Sequence, residues 1–228
     1  MDIKSYYDND YHSRRHGNLI GDEEYFWARA EASQKLYFSH FDTTNTRILD
    51  FGGGIGQTVA GLPNASVFDA SAEAREICRS RGLGVYERVE DIPDASFDIV
   101  VCRHVLEHVP HPAETLRQIR RVLKGDGTLI LILPKEPHGH YGLRPDMVNY
   151  HLHCWNFRSI NNLLDFTGFR SVEHRQHYIL GYRALLPLKR IFGFSVYYVS
   201  TFIVGQLYRM GEIIIHAQMK HVSTEIDL

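Results

Sequence analysis

The residues best suited to hold a small charged ligand are an acid and three alternating glycines that follow a short apolar run. Asp50 is followed by Gly52, Gly54 and Gly56. Glycine permits close approaches that a Cβ would block, and a helix predicted to begin at Ile55 would offer unpaired N–H groups and a positive dipole end. A carboxylate beside the first glycine would repel a pyrophosphate and attract a cation. The segment predicts a nucleotide-type site for a ligand that carries positive charge.

Two familiar nucleotide loops fit this segment poorly. A dinucleotide-binding G-x-G-x-x-G loop needs its third glycine near position 57, where the chain has Gln57. A phosphate loop of the form G-x-x-x-x-G-K-[ST] needs a lysine directly after the glycines, but the chain continues with Gln57, Thr58 and Val59. The remaining alternative is a glycine-rich turn without a ligand.

A second group of chemically capable residues is rich in histidine. His104, Glu107 and His108 spell H-x-x-E-H, the inverted zinc-peptidase motif. Zinc peptidases need both histidines on one helix face, whereas this run follows a buried strand directly and is interrupted by Pro110 and Pro112. We therefore reject the peptidase interpretation.

Histidines also crowd the segments that follow the predicted fourth and fifth strands. The chain has 14 histidines, and those in these segments are His108, His138, His140, His151 and His153. Histidine titrates near neutrality and can take a proton from a hydroxyl that is to become a nucleophile. We predict that His108 and His151 are catalytic, and the alternative for each is a structural or substrate-orienting role.

The elements that would position these residues alternate between strand and helix. Strands are predicted over 48–51, 65–69, 85–89, 97–102, 128–133, 168–178 and 212–220, and helices over 21–41, from 55, over 71–81 and over 112–124. This order predicts an α/β fold with a doubly wound, mostly parallel seven-stranded sheet and helices on both faces. An N-terminal helix precedes the sheet, and a helical insertion precedes the last strand.

Ligands of such sheets bind outside the carboxyl ends of the strands, where the winding reverses. Asp50, Asp69, Glu90 and Arg103 each follow one of the first four predicted strands. Because the carboxyl ends of parallel strands meet at one edge, we expect these four side chains to share a crevice.

At this level the chain resembles the class I S-adenosylmethionine-dependent methyltransferases, in particular the group of ubiquinone-biosynthesis O-methyltransferases and natural-product and sugar methyltransferases. The resemblance lies in segments 48–56, 67–71, 89–101 and 105–112, with 151–169 similar to the C-terminal half of the group. Their order along the chain is more specific than any one of them.

The resemblance implies S-adenosyl-L-methionine as cofactor and assigns residues to its parts. Gly52 and Gly54 would abut the methionine portion, and Asp50 would place its ammonium. Asp69, followed by Ala70, would accept both ribose hydroxyls. The resemblance also implies that Val89 and Glu90 lie at the adenine, and that Arg103 stands where the group commonly has a small residue.

The H-x-x-E-H run also resembles the E-x-x-E-H segment of the ubiquinone-type enzymes, which is associated with a divalent metal. His104 replaces the first acid of that segment. A metal is one interpretation, and the other is that Glu107 orients His108 with no ion present.

We divide a single domain, 1–228, into an N-terminal cap region at 1–44, a cofactor-binding core at 45–180, an apolar helical insertion at 181–211 and the last strand at 212–220.

The insertion contains an unusual apolar tract. Residues 191–208 carry no charge over 18 positions. A membrane span there would carry the last strand away from its sheet, so we reject one. We expect a lid over the acceptor, an interface in a homodimer, or a peripheral membrane contact beside Lys189 and Arg190.

Composition argues against a nucleic-acid partner. A formal charge of −2 provides no global field for nucleic acid. The three cysteines lack C-x-x-C spacing and the first residues lack an apolar signal segment, which predicts a cytoplasmic protein. The resemblance predicts methyl transfer to an oxygen of a small-molecule or glycan- or lipid-linked acceptor. The alternatives are a non-catalytic binding domain and a nicotinamide-dependent oxidoreductase.

Overall fold

The computed structural model describes residues 17, 20–135 and 150–220. His138 and His140 lie outside them. The α-helices are α1 (Glu23–Tyr37), α2 (Ala72–Ser80), α3 (Pro112–Val122), α4 (Phe157–Phe166), α5 (Leu186–Phe192) and α6 (Phe194–Leu207), and a 3-10 helix spans Val89–Asp91. The strands are β1 (Ile48–Phe51), β2 (Ala65–Phe68), β3 (Gly84–Tyr86), β4 (Phe97–Arg103), β5 (Leu123–Pro134), β6 (Phe169–Tyr178) and β7 (Gly211–Met219).

The strands form one seven-stranded sheet in the order β3-β2-β1-β4-β5-β7-β6. The first five strands in that order are parallel, and β1 lies at the centre with Ile48 beside Ala65 of β2 and Ile99 of β4. β7 runs antiparallel between β5 and β6. The predicted mostly parallel, seven-stranded α/β fold is confirmed.

Apolar layers cover both faces of the sheet. On one face, Leu49 and Val100 pack with Leu116 of α3 and Ile160 of α4. On the other face, Ile48 and its neighbours pack against the end of α1 and against α2. Successive strand residues therefore serve opposite layers, as a sheet buried on both faces requires.

The N-terminal helix lies across the glycine-rich segment. Asp22 caps α1 by accepting a hydrogen bond from the N–H of Tyr25 at 3.0 Å. The side chain of Gln34 donates to the carbonyl of Ala60 at 2.6 Å, and that of Gln57 donates to Ser33 at 3.0 Å. These bonds fix α1 against the loop that follows β1.

The helix predicted from Ile55 is wrong. Residues 53–61 form consecutive turns instead. Gly54, Gly56 and Gly61 have φ values of +54°, +74° and +83°, which a right-handed helix cannot contain. The predicted helix N-terminus, with its dipole, is therefore not part of the site.

Two other boundaries differ from prediction. The third strand, expected over 85–89, ends at Tyr86, and the chain enters the 3-10 helix at Val89. The helix expected to reach position 124 ends at Val122, and β5 begins at once because Leu123 pairs with Phe97 of β4.

The insertion before the last strand is helical, as predicted. α5 and α6 are separated by Gly193, whose φ of +82° breaks the helix. Of the helices in the described residues, none combines the length and the apolar character needed to cross a membrane.

Candidate functional site

The glycine-rich loop brings bare backbone to the carboxyl end of β1. The N–H groups of Gly52 and Gly53 donate to the carbonyl of Phe68 at 2.7 and 3.2 Å. Gly52 has a φ of +74°, and a Cβ there would lie 2.5 Å from the Cγ2 of Val105. A side chain at position 52 is therefore excluded by both conformation and space.

Asp50 presents a buried carboxylate oxygen to this loop. The residue is 1% exposed, and its Oδ2 has no hydrogen-bond partner in the described part of the chain. Burial raises the pKa of Asp50 to about 7, the charge of Arg103 opposes the rise, and that of Asp69 adds to it. A cationic ligand would supply the missing partner and favour the ionised form. The arrangement fits the ammonium of an amino acid.

Asp69 joins the second strand end to the same loop. Its Oδ2 accepts a hydrogen bond from the N–H of Gly54 at 2.7 Å, and its Oδ1 accepts one from Ser71 at 2.9 Å. Ser71 in turn caps α2. The structure thus brings Asp69 to the glycine loop as predicted, with Ala70 exposed beside it.

The third strand end is shaped by an arginine that the sequence analysis did not identify. Arg121 of α3 donates to the carbonyls of Val89 and Ile92 at 2.6 and 2.8 Å. This fixes the turn that carries Glu90, which is exposed and 3.5 Å from Arg88. The structure places Val89 and Glu90 after β3, on the far side of Asp69 from β1.

The fourth strand end contains a buried polar network. Arg103 donates to Glu212 of β7 at 2.7 Å and to the hydroxyl of Tyr37 at 3.1 Å, and Tyr37 donates to Glu212 at 2.5 Å. Burial opposes ionisation of Glu212, but the charge of Arg103 and the bonds from His104 and Tyr37 hold its pKa well below the ordinary range. The sequence analysis did not identify Glu212 or Tyr37. An acid at the start of an apolar strand is unusual, so the sequence did offer a signal for Glu212.

His104 completes this network in a strained conformation. Its φ is +55°, and its Nε2 donates to Glu212 at 2.9 Å. Burial is the largest cause that lowers its pKa, and the bond to Glu212 opposes that effect. A non-glycine residue held at positive φ is costly and commonly found at functional sites.

The predicted catalytic histidines meet beside the network. The rings of His108 and His151 are 4.8 Å apart, and their donor atoms and a carboxylate oxygen of the fully buried Glu107 lie within 4.8 Å of one another. The N–H of Leu152 donates to the carbonyl of Glu107 at 2.7 Å, which holds the two segments together. Residues 104–109 form turns, so the geometry of a zinc peptidase is absent from this segment.

A further cation was missed by sequence reasoning. The guanidinium carbon of Arg29 lies 4.4 Å from the centroid of the Tyr182 ring, and its Nε is buried without a hydrogen-bond partner among the described residues. Its charge contributes to the lowered pKa of His104. α1, which carries Arg29, packs on the loop that follows β1.

The fold and this crevice define a class. A parallel sheet extended by an antiparallel β7, a glycine-rich loop after β1, an acid near the end of β1 and an acid directly after β2 are the features of class I S-adenosylmethionine-dependent methyltransferases. The chain belongs to the methyltransferase domain family, which matches residues 22–174.

Curated relatives match the central part of the chain. It is 34% identical over 107 residues to the ubiquinone biosynthesis O-methyltransferase of Xanthomonas oryzae pv. oryzae (strain PXO99A), covering 41% of this chain and 45% of that protein. It is 30% identical over 110 residues to the uncharacterized methyltransferase YcgJ of Bacillus subtilis (strain 168), covering 40% and 43%. The chain spans less than half the length of these relatives.

Solved structures with similar folds cover much more of the chain. A possible histamine N-methyltransferase of Thermotoga maritima has a TM-score of 0.65, 16% identity and coverage of 96% of this chain and 100% of that one. The 1,6-didemethyltoxoflavin-N1-methyltransferase of Burkholderia thailandensis, bound to S-adenosylhomocysteine, has a TM-score of 0.61, 16% identity and coverage of 96% and 88%. The [4+2]-cyclase SpnF has a TM-score of 0.56, 20% identity and coverage of 85% and 80%. These likenesses show the fold.

Proposed function

We propose that this protein transfers a methyl group from S-adenosyl-L-methionine to an oxygen of a small-molecule or glycan- or lipid-linked acceptor. The observation that carries the proposal is the unpartnered Oδ2 of buried Asp50 beside a backbone that admits only glycine at position 52. Such a corner suits a cationic amino-acid group pressed against main chain. The cofactor supplies a methyl group on a positively charged sulfur.

We assign one side chain to each of the two charged groups in the cofactor's amino-acid portion. Asp50 accepts from the ammonium, and Arg29 faces the carboxylate with a half-buried guanidinium that pairs with no acid among the described residues. Arg103, whose charge acts on Asp50, favours the ionised carboxylate that the ammonium requires. We therefore assign Arg103 to the cofactor site as a positioning residue.

We assign the nucleoside portion of the cofactor to residues that follow β2 and β3. Asp69 accepts from the ribose hydroxyls, because a carboxylate can make two charge-assisted bonds to a vicinal diol. Gly52 and Gly54 abut the methionine portion with bare backbone, and Ala70 lies beside the ribose. Val89 and Glu90 line the adenine, with Glu90 as acceptor for its exocyclic amine.

Removal of the acceptor's proton is assigned to the histidine cluster. His108 and His151 lie within reach of one another, and Glu107 orients the pair from the buried side. A neutral histidine takes the proton of a hydroxyl as the oxygen attacks, and positioning supplies much of the remaining acceleration. The same three residues form a donor set that fits a divalent cation, which would lower the pKa of a hydroxyl bound to it.

Binding and turnover are tested separately. Calorimetry should show tight binding of S-adenosylhomocysteine and weak binding of nicotinamide dinucleotides. Labelled S-adenosylmethionine should then transfer its methyl to members of a panel of phenols, sugars and lipid-linked acceptors. Cofactor binding without transfer to any class of acceptor would favour a non-catalytic domain, and preference for a nicotinamide dinucleotide would favour an oxidoreductase.

A further inference from the structure

The insertion between β6 and β7 exposes many large apolar side chains. Eight residues within 191–210 are 42–76% exposed: Ile191, Phe192, Val196, Val199, Ile203, Leu207, Tyr208 and Met210. We call this set the α6 face. A helix that is apolar all round is usually buried on every side, yet α6 has its outer side in solvent. We therefore expect another molecule to cover the exposed side of α6.

The α6 helix cannot bury this side by turning inward. Its inner side carries Tyr197, Thr201 and Gly205, which are all buried. A Cβ at Gly205 would lie 2.3 Å from the backbone nitrogen of Ile179, and the N–H of Leu180 donates to the carbonyl of Thr201 at 3.0 Å. The helix is thus locked to the end of β6 by main-chain contacts. The lid interpretation of this segment would require those contacts to break.

The spacing of the exposed residues suits packing against another helix. Within α6, Val196, Val199 and Ile203 are spaced by three and then four residues, as in a helix-pairing seam. The centre of the seam is β-branched, whereas helices that lie on membranes favour tryptophan, phenylalanine and leucine. The composition favours a protein partner.

The size of the α6 face is in the range of a subunit interface. An aromatic side chain has on the order of 150–250 Å² of surface and an aliphatic one somewhat less, so the eight residues, which are 42–76% exposed, together leave roughly 900 Å² in solvent. The largest apolar patch of an ordinary monomer is about 300–600 Å². A standard interface buries about 800 Å² on each partner.

The charges around the face favour a second copy over an anionic bilayer. No charged side chain lies within 191–208, so the α6 helices of two copies can meet without burying a charge, and the exposed Arg209 lies beyond the end of the helix. The two cations that precede it are already paired, Lys189 with Glu31 at 2.7 Å and Arg190 with Glu24 at 2.8 Å. A chain of net charge −2 also has no long-range attraction to anionic lipid.

We propose that the α6 face is the self-complementary interface of a homodimer, in which the α6 helices of two copies pack across a two-fold axis. Each copy presents the same uncharged seam, as a closed two-fold interface requires. None of the eight residues of the α6 face is assigned to the cofactor site or to the histidine cluster, so the proposal is independent of the methyl-transfer assignment.

Sedimentation velocity of the whole chain over a hundredfold concentration range tests the proposal. The wild type should sediment as a dimer, and Val199→Glu and Ile203→Glu should each raise the dissociation constant by roughly tenfold or more. Val172→Glu is the matched control, because Val172 is an exposed apolar residue of β6 outside the α6 face (49% exposed) and should leave the dimer intact. Val199→Ser combined with Ile203→Ser repeats the test without a buried charge if the glutamate variants fail to fold.

Three results would overturn the proposal. The first is a wild type that stays monomeric at every concentration. The second is a dimer whose dissociation constant is unchanged in the α6 variants that fold. The third is a monomer that pellets with phosphatidylcholine vesicles and loses that property in Val199→Glu, since the occupant would then be a bilayer. S-adenosylhomocysteine affinity, measured on every variant, reports on the cofactor site separately.

Discussion

The Nε2 of His104 lies 2.9 Å from a carboxylate oxygen of Glu212, although 108 positions separate them in sequence. The bond joins the end of β4 to the start of β7, and Tyr37 adds the end of α1 to the same carboxylate. The insertion ends only a few residues before Glu212. A single acid therefore holds together the N-terminal helix, the strand end that carries the histidines and the return of the chain into the sheet.

Glu212→Gln should destabilise the protein strongly. The substitution leaves the guanidinium of Arg103 buried without its counter-charge, which typically costs about 3–5 kcal/mol. Tyr37→Phe removes one hydrogen bond and should cost about 1 kcal/mol. Urea unfolding of the two variants measures the difference, and equal effects would contradict a charge-centred role for Glu212.

The Glu212 network also predicts acid sensitivity. Because the folded state holds the pKa of Glu212 well below its ordinary 4.5, the network's stabilising contribution is present above that value and is lost as the pH falls through the folded pKa. Glu212→Gln should flatten this part of the stability profile. Wild-type stability that is constant between neutral pH and pH 3 would contradict the assignment.

Asp50 should give the opposite pH dependence. Its folded pKa of about 7 exceeds its ordinary 3.8, so the folded state holds a proton that the unfolded state has released between these values. Stability of the cofactor-free protein should therefore fall as the pH rises from about 4 to about 7, by at most ~4 kcal/mol at 1.36 kcal/mol per pKa unit. Asp50→Asn should remove this slope in urea titrations.

The same carboxylate links cofactor binding to protons. An ammonium beside Asp50 lowers its pKa, so binding of S-adenosylhomocysteine should release a proton and tighten as the pH rises through 7. Calorimetry in buffers of different ionisation enthalpy measures the proton count. Asp50→Asn should abolish the release and weaken binding.

Gly52→Ala should impair cofactor binding more than a matched glycine substitution elsewhere. Gly82 has almost the same dihedral, +76° against +74°, but open space where its Cβ would be. Both variants carry the strain of a left-handed alanine, about 1–2 kcal/mol, and only Gly52→Ala adds the contact with Val105. Thermal unfolding and S-adenosylhomocysteine affinity compare the two, and equal losses of affinity would contradict a close approach at Gly52.

The sequence predicted a residue's position correctly where that position depends on its neighbours in the chain. Strand ends follow from apolar runs and breakers, so Asp50 and Asp69 could be placed in one crevice before the structure was known. The turns after Ile55 could not, because helix signals there compete with three left-handed glycines whose dihedrals depend on packing. Glu212 and Arg29 were missed for a different reason. Glu212 stands out as an acid at the start of an apolar strand, but the partners of Glu212 and Arg29 lie more than 100 residues away, and no local pattern identifies those partners.

Arg29→Gln should weaken cofactor binding through the amino-acid portion alone. Loss of a charge-assisted bond to the carboxylate corresponds to about 1.5–3 kcal/mol, or roughly 10–150-fold in affinity. Arg190→Gln is the control, since Arg190 is an exposed cation paired with α1. Methylthioadenosine, which lacks the amino acid, should bind wild type and Arg29→Gln equally. An equal loss for both ligands would show that Arg29 acts through the fold.

His108→Asn and His151→Asn should separate chemistry from binding. Neither side chain contacts the glycine loop in the proposed arrangement, so S-adenosylhomocysteine affinity should match the wild type. Loss of a general base typically lowers kcat by about 10²–10⁴-fold. His153→Asn is a control within the same segment, because the His153 ring is bonded to the carbonyl of Val109 at 3.0 Å rather than to the cluster.

A chelator then distinguishes how the cluster acts. If a histidine is the base and no metal takes part, wild-type turnover should be insensitive to EDTA, and the histidine variants should not be rescued by added metal. If Glu107, His108 and His151 hold a divalent cation, EDTA should abolish wild-type turnover and added Mg²⁺ should restore it. Variants of both histidines with wild-type kcat would contradict both assignments, because each requires the close approach of the two rings that the structure shows.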